Sequence, residues 1–562
     1  MRYQTTRRGA LKAGLLGAGA FALNDPSARS DDLPASPATT PFLDPLPIAR
    51  IAKPVEAFAT QTDPTATNVD GSKTFHVSEP REVTPNTLFY RIAERQALHR
   101  FHSQLPETSV WGYDGLVPGP TIITESRIPS LVRFANYLPE NDPVGIGEPI
   151  SAIHRHGGFQ APEDDGYPLD TFKSGQSRDY YFPNDPADGL EQNEHSTLWY
   201  HDHAIDVTAV NVYRGLAGFQ IHFDARDSLL GEEDPDYEKA FRLPGKMVTA
   251  ADGSRSRAFD IPLVFQDKSF DSFGRLVYDS FDHDGFIGDK FLVNGKVQPY
   301  FDVTRRKYRF RFLNGGNARV YEFFLVKDRK SVLFDYVIGS DSMLFERPLY
   351  GVGSIRMSSA ERFDVVIDFS RYPTGSEIIL ENRMVQDNGR KPEGVETPGT
   401  PLLKFRVGDA APDPSRVPPT LRVVTEGPQQ LLPLVKVHRT FKLDRSHGAW
   451  TVNNEFFDEN RINAKPKLGV PEIWTFTAGG GWQHPNHTHL SEFFILSRNG
   501  GQPPQLERGR KETVRVGWSE GEVKILIKFV RYTGRYVVHC HTVEHEDMRM
   551  MGQFEVQPWQ TT

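Results

Sequence analysis

Short runs of alternating or wholly apolar residues recur along the chain. Ser130-Leu-Val-Arg-Phe-Ala-Asn-Tyr137, Lys307-Tyr-Arg-Phe-Arg-Phe-Leu313, Phe363-Asp-Val-Val-Ile-Asp-Phe369 and Val523-Lys-Ile-Leu-Ile-Lys-Phe529 alternate or are rich in β-branched and aromatic residues, and turn residues often bound them. A period of two is that of a strand, whose successive side chains face opposite sides. The pattern predicts an all-β protein of antiparallel sandwiches or barrels. Segments 226–257 and 408–435 are rich in Pro and charge, with weak periodicity, and read as insertions or linkers. They divide the chain into three parts of about 150–185 residues, each of ordinary domain size. The stretch from Asn24 to about Pro47 is rich in Pro, Ala, Ser and Asp without an apolar period, and reads as an extended arm.

Composition narrows the picture. The 562 residues include 47 Gly and 42 Pro, which favour many turns over long helices. The 65 basic and 73 acidic side chains leave a formal charge of −8, and no basic stripe stands out, which argues against a nucleic-acid partner. No run reaches the ~18 apolar residues that a membrane span needs. A single Cys rules out an intramolecular disulfide, CxxC redox chemistry and cysteine-rich zinc sites.

The N-terminal Thr6-Arg7-Arg8-Gly9-Ala10-Leu11-Lys12, followed by an uncharged small-residue stretch from Ala13 to Leu23, resembles a bacterial twin-arginine export signal, with Ala10 where Phe is common. This predicts a signal peptide over 1–22, an arm over 23–47, and a periplasmic or secreted mature chain.

The chemistry lies in the histidines. Ten of the 18 fall in four groups: His154-Arg155-His156-Gly157, His201-Asp202-His203, His484-Pro485-Asn486-His487-Thr488-His489, and His539-Cys540-His541 followed by His545 and Met550. On a strand, residues i and i+2 share a face, so each His-x-His pair can aim two imidazoles at one point. Cys540 then points the other way and belongs to a second site. One thiolate, two imidazoles and a weak thioether form the ligand set of a blue-copper centre, whereas a single Cys with a distant Met is a poor zinc pattern. His76, His99, His102, His195, His222, His283, His438 and His447 have no ligand spacing and read as surface or turn residues.

These four motifs, in this order, resemble those of the multicopper oxidases. Pro118-Gly-Pro-Thr-Ile122, Asp165-Gly-Tyr-Pro168, Asn211-Val-Tyr-Arg-Gly215, Leu292-Val-Asn-Gly-Lys296 and Ala360-Glu-Arg-Phe-Asp364 look most like the bacterial spore-coat laccase branch, which includes bilirubin-oxidase and phenoxazinone-synthase types. The resemblance runs from about Pro41 and implies three cupredoxin-like Greek-key β-barrel domains: domain 1 over 48–225, domain 2 over 226–407 with an N-terminal insertion, a linker over 408–435, and domain 3 over 436–562.

The resemblance also implies four copper ions. The type 1 copper would be held by His484, Cys540 and His545 with Met550 axial. The type 2 copper would be held by His154 and His487. The type 3 pair would take His156, His201, His203, His489, His539 and His541. Cys540 and its neighbours His539 and His541 would form a covalent electron path, and Asp165 and Glu546 would deliver protons for the reduction of dioxygen to water. The implied activity is laccase-like one-electron oxidation of phenolic or aromatic amine donors, by a monomer with small-molecule partners only. A cuprous oxidase of copper tolerance, an aminophenol oxidase making phenoxazinones, and a bilirubin oxidase are the alternatives; only 8 Met and no Met-rich insertion argue against the first. A non-catalytic cupredoxin-like scaffold is disfavoured by the full ligand set, and a two-domain nitrite reductase by the length.

Overall fold

The structure, a computed structural model, describes residues 35–59, 83–141, 146–251 and 253–559. The twin-arginine stretch and His76 lie outside the described residues. Strands dominate, and among the described residues no helix is long and apolar enough to cross a membrane.

The strands form three successive β-sandwiches. In the first, one sheet orders Thr108–Tyr113, Leu88–His99, Ser130–Asn136 and Ser177–Phe182, and the facing sheet orders Gly119–Glu125, Ala217–Phe223, Thr197–Asp202 and Ile153–His156. Their inner faces meet in a core containing Trp111, Tyr113, Phe134, Tyr180 and Tyr200. The middle sandwich packs Phe265, Phe310, Phe312, Phe323, Phe334 and Phe405 between its sheets. In the third, the sheet containing Val437–Ser446, Pro471–Ala478 and Val523–Lys528 faces a four-stranded sheet ordered Thr513–Gly517, Gln483–Thr488, Gly534–Cys540 and Met551–Val556. Cys540 and Met550 lie in that last core beside Trp450 and Trp474.

One crossover recurs in all three. Leu88–His99 pairs parallel with Ser130–Asn136, Asp260–Phe270 with Lys307–Asn314, and Val437–Ser446 with Pro471–Ala478, in sheets whose other strand pairs, among the described residues, are antiparallel. The chain is thus one sandwich plan used three times.

Segments 226–257 and 408–435 are more structured than their sequence suggests. The first holds the hairpin Lys246–Thr249 with Arg255–Ala258 and buries Phe241 and Leu243; the second buries Leu421 and Leu431. Phe241, Leu243 and Leu421 share one cluster with Ile338, Leu344 and Val366 of the middle sandwich, so partners distant in sequence bury them and no local period marks them.

The alternation in Lys307–Asn314 carries a further consequence. Tyr308, Phe310 and Phe312 face the middle core, as a period of two requires. Arg309 and Arg311 point the other way, yet they are as buried as the phenylalanines. They meet carboxylates there: Arg309 donates to Asp227 at 2.9 Å and to Asp364, and Arg311 donates to Asp260 at 2.8 and 3.0 Å. Ser196 and Thr197 of the first sandwich donate to the Asp364 carboxylate too. This buried charge knot fastens the first sandwich to the second, at the start of the strand that carries His201.

Removing one partner from such a knot leaves an uncompensated buried charge. Asp364→Ala should therefore lower stability by about 3 kcal/mol, read as a fall on the order of 10 °C in melting temperature. Asp302→Ala, which breaks an exposed pair with Arg406, should stay within about 0.5 kcal/mol. Equal melting temperatures for the two variants would contradict this account.

Candidate metal centres

The imidazoles are set by strand pairing at both ends of the chain. In the first sandwich His154 sits opposite His201 on neighbouring antiparallel strands. In the third, His487 sits opposite His539, and Asn486 opposite Cys540. The two sheets meet at a buried junction: the His156 ring stacks on His487 at 3.7 Å between centroids, and His154 on His489 at 3.9 Å. Each of the eight side chains is at most 1% exposed.

Three nitrogens converge on one point. The Nε2 atoms of His203, His489 and His539 lie 3.2, 3.2 and 3.3 Å apart. Their Nδ1 sides face acceptors. His489 Nδ1 lies 2.7 Å from Asp165 Oδ2, while His203 Nδ1 and His539 Nδ1 each lie 3.2 Å from one oxygen of Glu546. Carboxylates accept, so the ring protons belong on Nδ1 and three bare lone pairs face one another. A bound cation would relieve that arrangement.

A second group joins His156, His201 and His541. His201 Nδ1 donates to the Asp202 carbonyl at 2.8 Å, and His541 Nδ1 lies 3.3 Å from Ser359 Oγ. Their Nε2 atoms, together with His156 Nδ1, are buried without hydrogen-bond partners. Between the two triads lies a pair: His154 Nε2 and His487 Nε2 are 3.5 Å apart, and their Nδ1 atoms donate to the carbonyls of Asp165 at 2.6 Å and Glu512 at 2.9 Å.

Three of the His-x-His pairs, 201/203, 487/489 and 539/541, divide between neighbouring groups, while His154 and His156 converge together with His487. Residues i and i+2 stand roughly 6.6 Å apart on a strand, and the ring centroids within the pairs are 5.6, 5.8, 4.8 and 5.6 Å apart, so a pair can serve one point or two adjacent ones.

Cys540 faces away from the junction, into the third core. Its Sγ lies 3.5 Å from both His484 Nδ1 and His545 Nδ1, which are 3.1 Å from each other. Met550 is fully buried in the same cluster, and its backbone bonds to both neighbours: its N–H donates to the His545 carbonyl at 2.9 Å, and its carbonyl accepts from Cys540 N–H at 3.1 Å. The outer edge of His545 is closed by the middle sandwich, where Nε2 donates to the Asp284 carbonyl at 3.1 Å. Trp450 lies against the His545 ring at 4.0 Å, and Trp482 against Trp450 at 4.5 Å.

Burial sets the protonation of these groups. It lowers His203, His484 and His541 to about 3 and holds His156, His201, His487, His489 and His545 well below the ordinary imidazole value, so their lone pairs are free. Burial raises the Cys540 thiol to about 12, so its anion needs a neighbouring cation. For Glu546 burial pushes upward, but His203 and His539 outweigh it and bring the carboxyl to about 2. Neutral imidazoles and one buried sulfur fit a soft transition metal, and for the Cys540 group they fit copper.

Several residues of the site carried no sequence signal. Glu512 stands 3.5 Å from His156 Nε2 and pairs with Arg362. Ser342 bonds to Glu512, and Gln160 donates to Asp165 at 2.7 Å. His102, His195 and His222, read as surface or turn residues, are buried at 2% exposure or less. Their burial comes from tertiary contacts: His102 bonds to the Thr40 carbonyl, while His195 and His222 face Glu492 and Glu194.

Residues 97–225 and 431–560 match family models described as multicopper oxidase. A laccase from Bacillus stratosphericus is 32% identical over 85% of this chain and 97% of its own. A bilirubin oxidase from Albifimbria verrucaria is 32% identical over 85% of this chain and 79% of its own. Among solved structures, a laccase from Pediococcus acidilactici superposes with a TM-score of 0.69 at 26% identity, covering 93% of this chain and 95% of that one.

The raised thiol predicts a chemical test. Thiolate is the reactive form, so in folded, metal-stripped protein Cys540 should resist a thiol reagent at pH 8 and react in full after denaturation. Fast reaction in the folded state would contradict the burial of this group.

Proposed function

The chain belongs to the multicopper oxidase family, and from that premise we propose how its residues share the work. It is a laccase-like, copper-dependent oxidoreductase with dioxygen as acceptor, and its folding units are cupredoxin-like. In this proposal His484, Cys540 and His545, with Met550 buried in the same cluster, would hold the type 1 copper. His154 and His487 hold the type 2 copper. The type 3 pair divides between His156, His201 and His541 on one side and His203, His489 and His539 on the other. The observation that carries the reading is the convergence of bare, buried ring nitrogens on points between the two ends of the chain.

Bound copper would supply one-electron chemistry and the four-electron reduction of dioxygen to water. The protein's own residues do the remaining work. Glu546 faces the Nδ1 atoms of His203 and His539 at 3.2 Å each and favours their protonated form, the Cys540 carbonyl accepts from His539 Nδ1 at 3.1 Å, and Asp165 fixes the tautomers of His489 with its carboxylate and of His154 with its carbonyl. The same two carboxylates stand against the junction and would pass protons for the oxygen chemistry. The type 1 imidazole is walled by Trp450 and the Asp284 carbonyl, which excludes water from its edge.

Phenols and aromatic amines are the proposed donors, in keeping with the laccase and bilirubin oxidase relatives. A metal-ion donor such as Cu(I) is the second reading. It rests on the acids Asp279, Asp282 and Asp284 in the loop that closes over His545; burial and then its two acidic neighbours raise Asp282 to about 6. Export by the twin-arginine route to the periplasm or beyond belongs to the proposal and is supported by Arg7 and Arg8. A monomer is proposed because every ligand comes from one chain.

Cys540→Ser should abolish the intense visible absorption, and retained colour would overturn the type 1 assignment. Glu546→Gln should keep that colour while slowing oxygen uptake on the order of a hundredfold; uptake at the normal rate would remove Glu546 from proton delivery. A donor panel of a substituted phenol, an aminophenol, bilirubin and Cu(I) separates the donor readings.

A further inference from the structure

Two carboxylates from the third sandwich and one hydroxyl from the second form a chain that ends beside the copper junction. Ser342 Oγ lies 2.9 Å from Glu492 Oε1 and 3.1 Å from Glu512 Oε2. Glu512 Oε1 stands 3.5 Å from His156 Nε2. The three side chains are at most 4% exposed. A hydroxyl has one hydrogen and an ionised carboxylate only accepts, so both contacts are hydrogen bonds only when one carboxyl donates. The three groups together therefore hold a transferable proton.

The chain joins two cavities. Glu492 lines both. The inner one is walled by His154, His487, His489 and Glu512, and is too narrow for a water molecule. The outer one has a volume of about 20 Å³, room for roughly one water, and a rim of half-buried Asp188, Glu426 and Lys528. The Glu492 and Glu512 side chains line this inner gap. Glu492 Oε2 is buried on that path with no hydrogen-bond partner, its nearest cation being Arg510 Nη2 at 4.0 Å. The other groups facing the path are His195 Nε2, 3.6 Å from Glu492 Oε1, and Arg362 and Asp341 around Glu512.

The motif glycine Gly157 keeps the path open. Its φ of +85° is a left-handed value, and a Cβ there would come within 2.9 Å of Glu512 Oε1 and 3.1 Å of Ser342 Cβ. The hydroxyl is placed by the backbone, since the Ser342 carbonyl accepts from Ser196 N–H at 2.7 Å.

We propose that Glu492, Ser342 and Glu512 form a proton entry path to the type 2 side of the junction, separate from Asp165 and Glu546. In one passage the hydroxyl hydrogen of Ser342 moves to Glu512 Oε2, Ser342 Oγ takes the proton of Glu492 Oε1, Glu512 then releases a proton to the oxygen being reduced at the junction, and Glu492 is reprotonated from the outer cavity, which restores the starting state. No electron moves along the path. Each passage supplies one of the four protons that dioxygen and four electrons consume in forming two waters. Glu492 and Ser342 are positioning and relay residues, touching neither dioxygen nor copper.

The proposal rests on the copper assignment above, so its test reads the two apart. In wild-type protein, copper content and visible absorption check the assignment. The path is read on Ser342→Ala, Glu492→Gln and Ser342→Thr by two measurements. One is reoxidation of the fully reduced protein by dioxygen in H2O and D2O. The other is the spectral response of the resting, oxidised protein to a pH jump, which involves no turnover. Ser342→Ala and Glu492→Gln should retain copper and colour, slow both responses roughly tenfold because Asp165 and Glu546 still operate, and enlarge the solvent isotope effect. Ser342→Thr, which keeps a hydroxyl, should behave as wild type. Wild-type rates and isotope effects in Ser342→Ala would overturn the path. If Ser342→Ala fails to load copper, Glu492→Gln decides by the same readings.

Discussion

At the junction of the first and third sandwiches, eight buried imidazoles face one another with their lone pairs turned inward. Such a cluster is repulsive by itself. Carbonyls and one carboxylate hold the outer ring protons of five of the eight, which turns their inner nitrogens toward one another. The surrounding polar structure follows from that constraint. Glu546 and Asp165 set the tautomers, and the stacks of His156 on His487 and His154 on His489 set the distance between sandwiches. Positive charge at the junction turns the arrangement from repulsive to bonding.

The middle sandwich contributes none of the copper ligands proposed here, yet it holds the other two in register. The Ala360-Glu-Arg-Phe-Asp364 run shows how. Glu361 pairs with Lys511 and Arg515, Arg362 with Glu512, and Asp364 with Arg309 and the first sandwich. Phe363 between them fills the middle core. Three of these four consecutive positions thus reach neighbouring units and one fills the local core, at the start of the strand Arg362–Asp368. The loop that ends in Asp284 closes over His545 from the same sandwich. The middle unit therefore acts on both the junction and the Cys540 group through backbone and charge rather than through ligation.

Strand periodicity made the local part of this legible. The runs beginning at Ser130, Lys307 and Val523 form strands Ser130–Asn136, Lys307–Asn314 and Val523–Lys528, each within a residue of the alternating pattern, and the last run becomes Arg362–Asp368. The same period put Cys540 on the opposite face from His539 and His541. What the period does not encode is the distance between strands from different units. The division of three His-x-His pairs between groups, the burial of His195 and His222, and the meeting of Ser342 with Glu492 and Glu512 depend on contacts outside the local period, 50 residues apart for His489 with His539 and 150 and 170 for Ser342 with Glu492 and Glu512. Arg309 and Arg311 occupy outward positions of an alternating strand and would pass for solvated charges, because a sequence does not show that its outer face is an interface.

The account rests on four separate metal positions arranged by these contacts, and anomalous diffraction at the copper edge from copper-loaded crystals measures them directly. Four peaks are predicted: one among His484, Cys540 and His545, one between His154 and His487, one within His203, His489 and His539, and one within His156, His201 and His541. A map with the Cys540 peak but fewer than three peaks at the junction, or with one ion held by both members of a His-x-His pair, would contradict it.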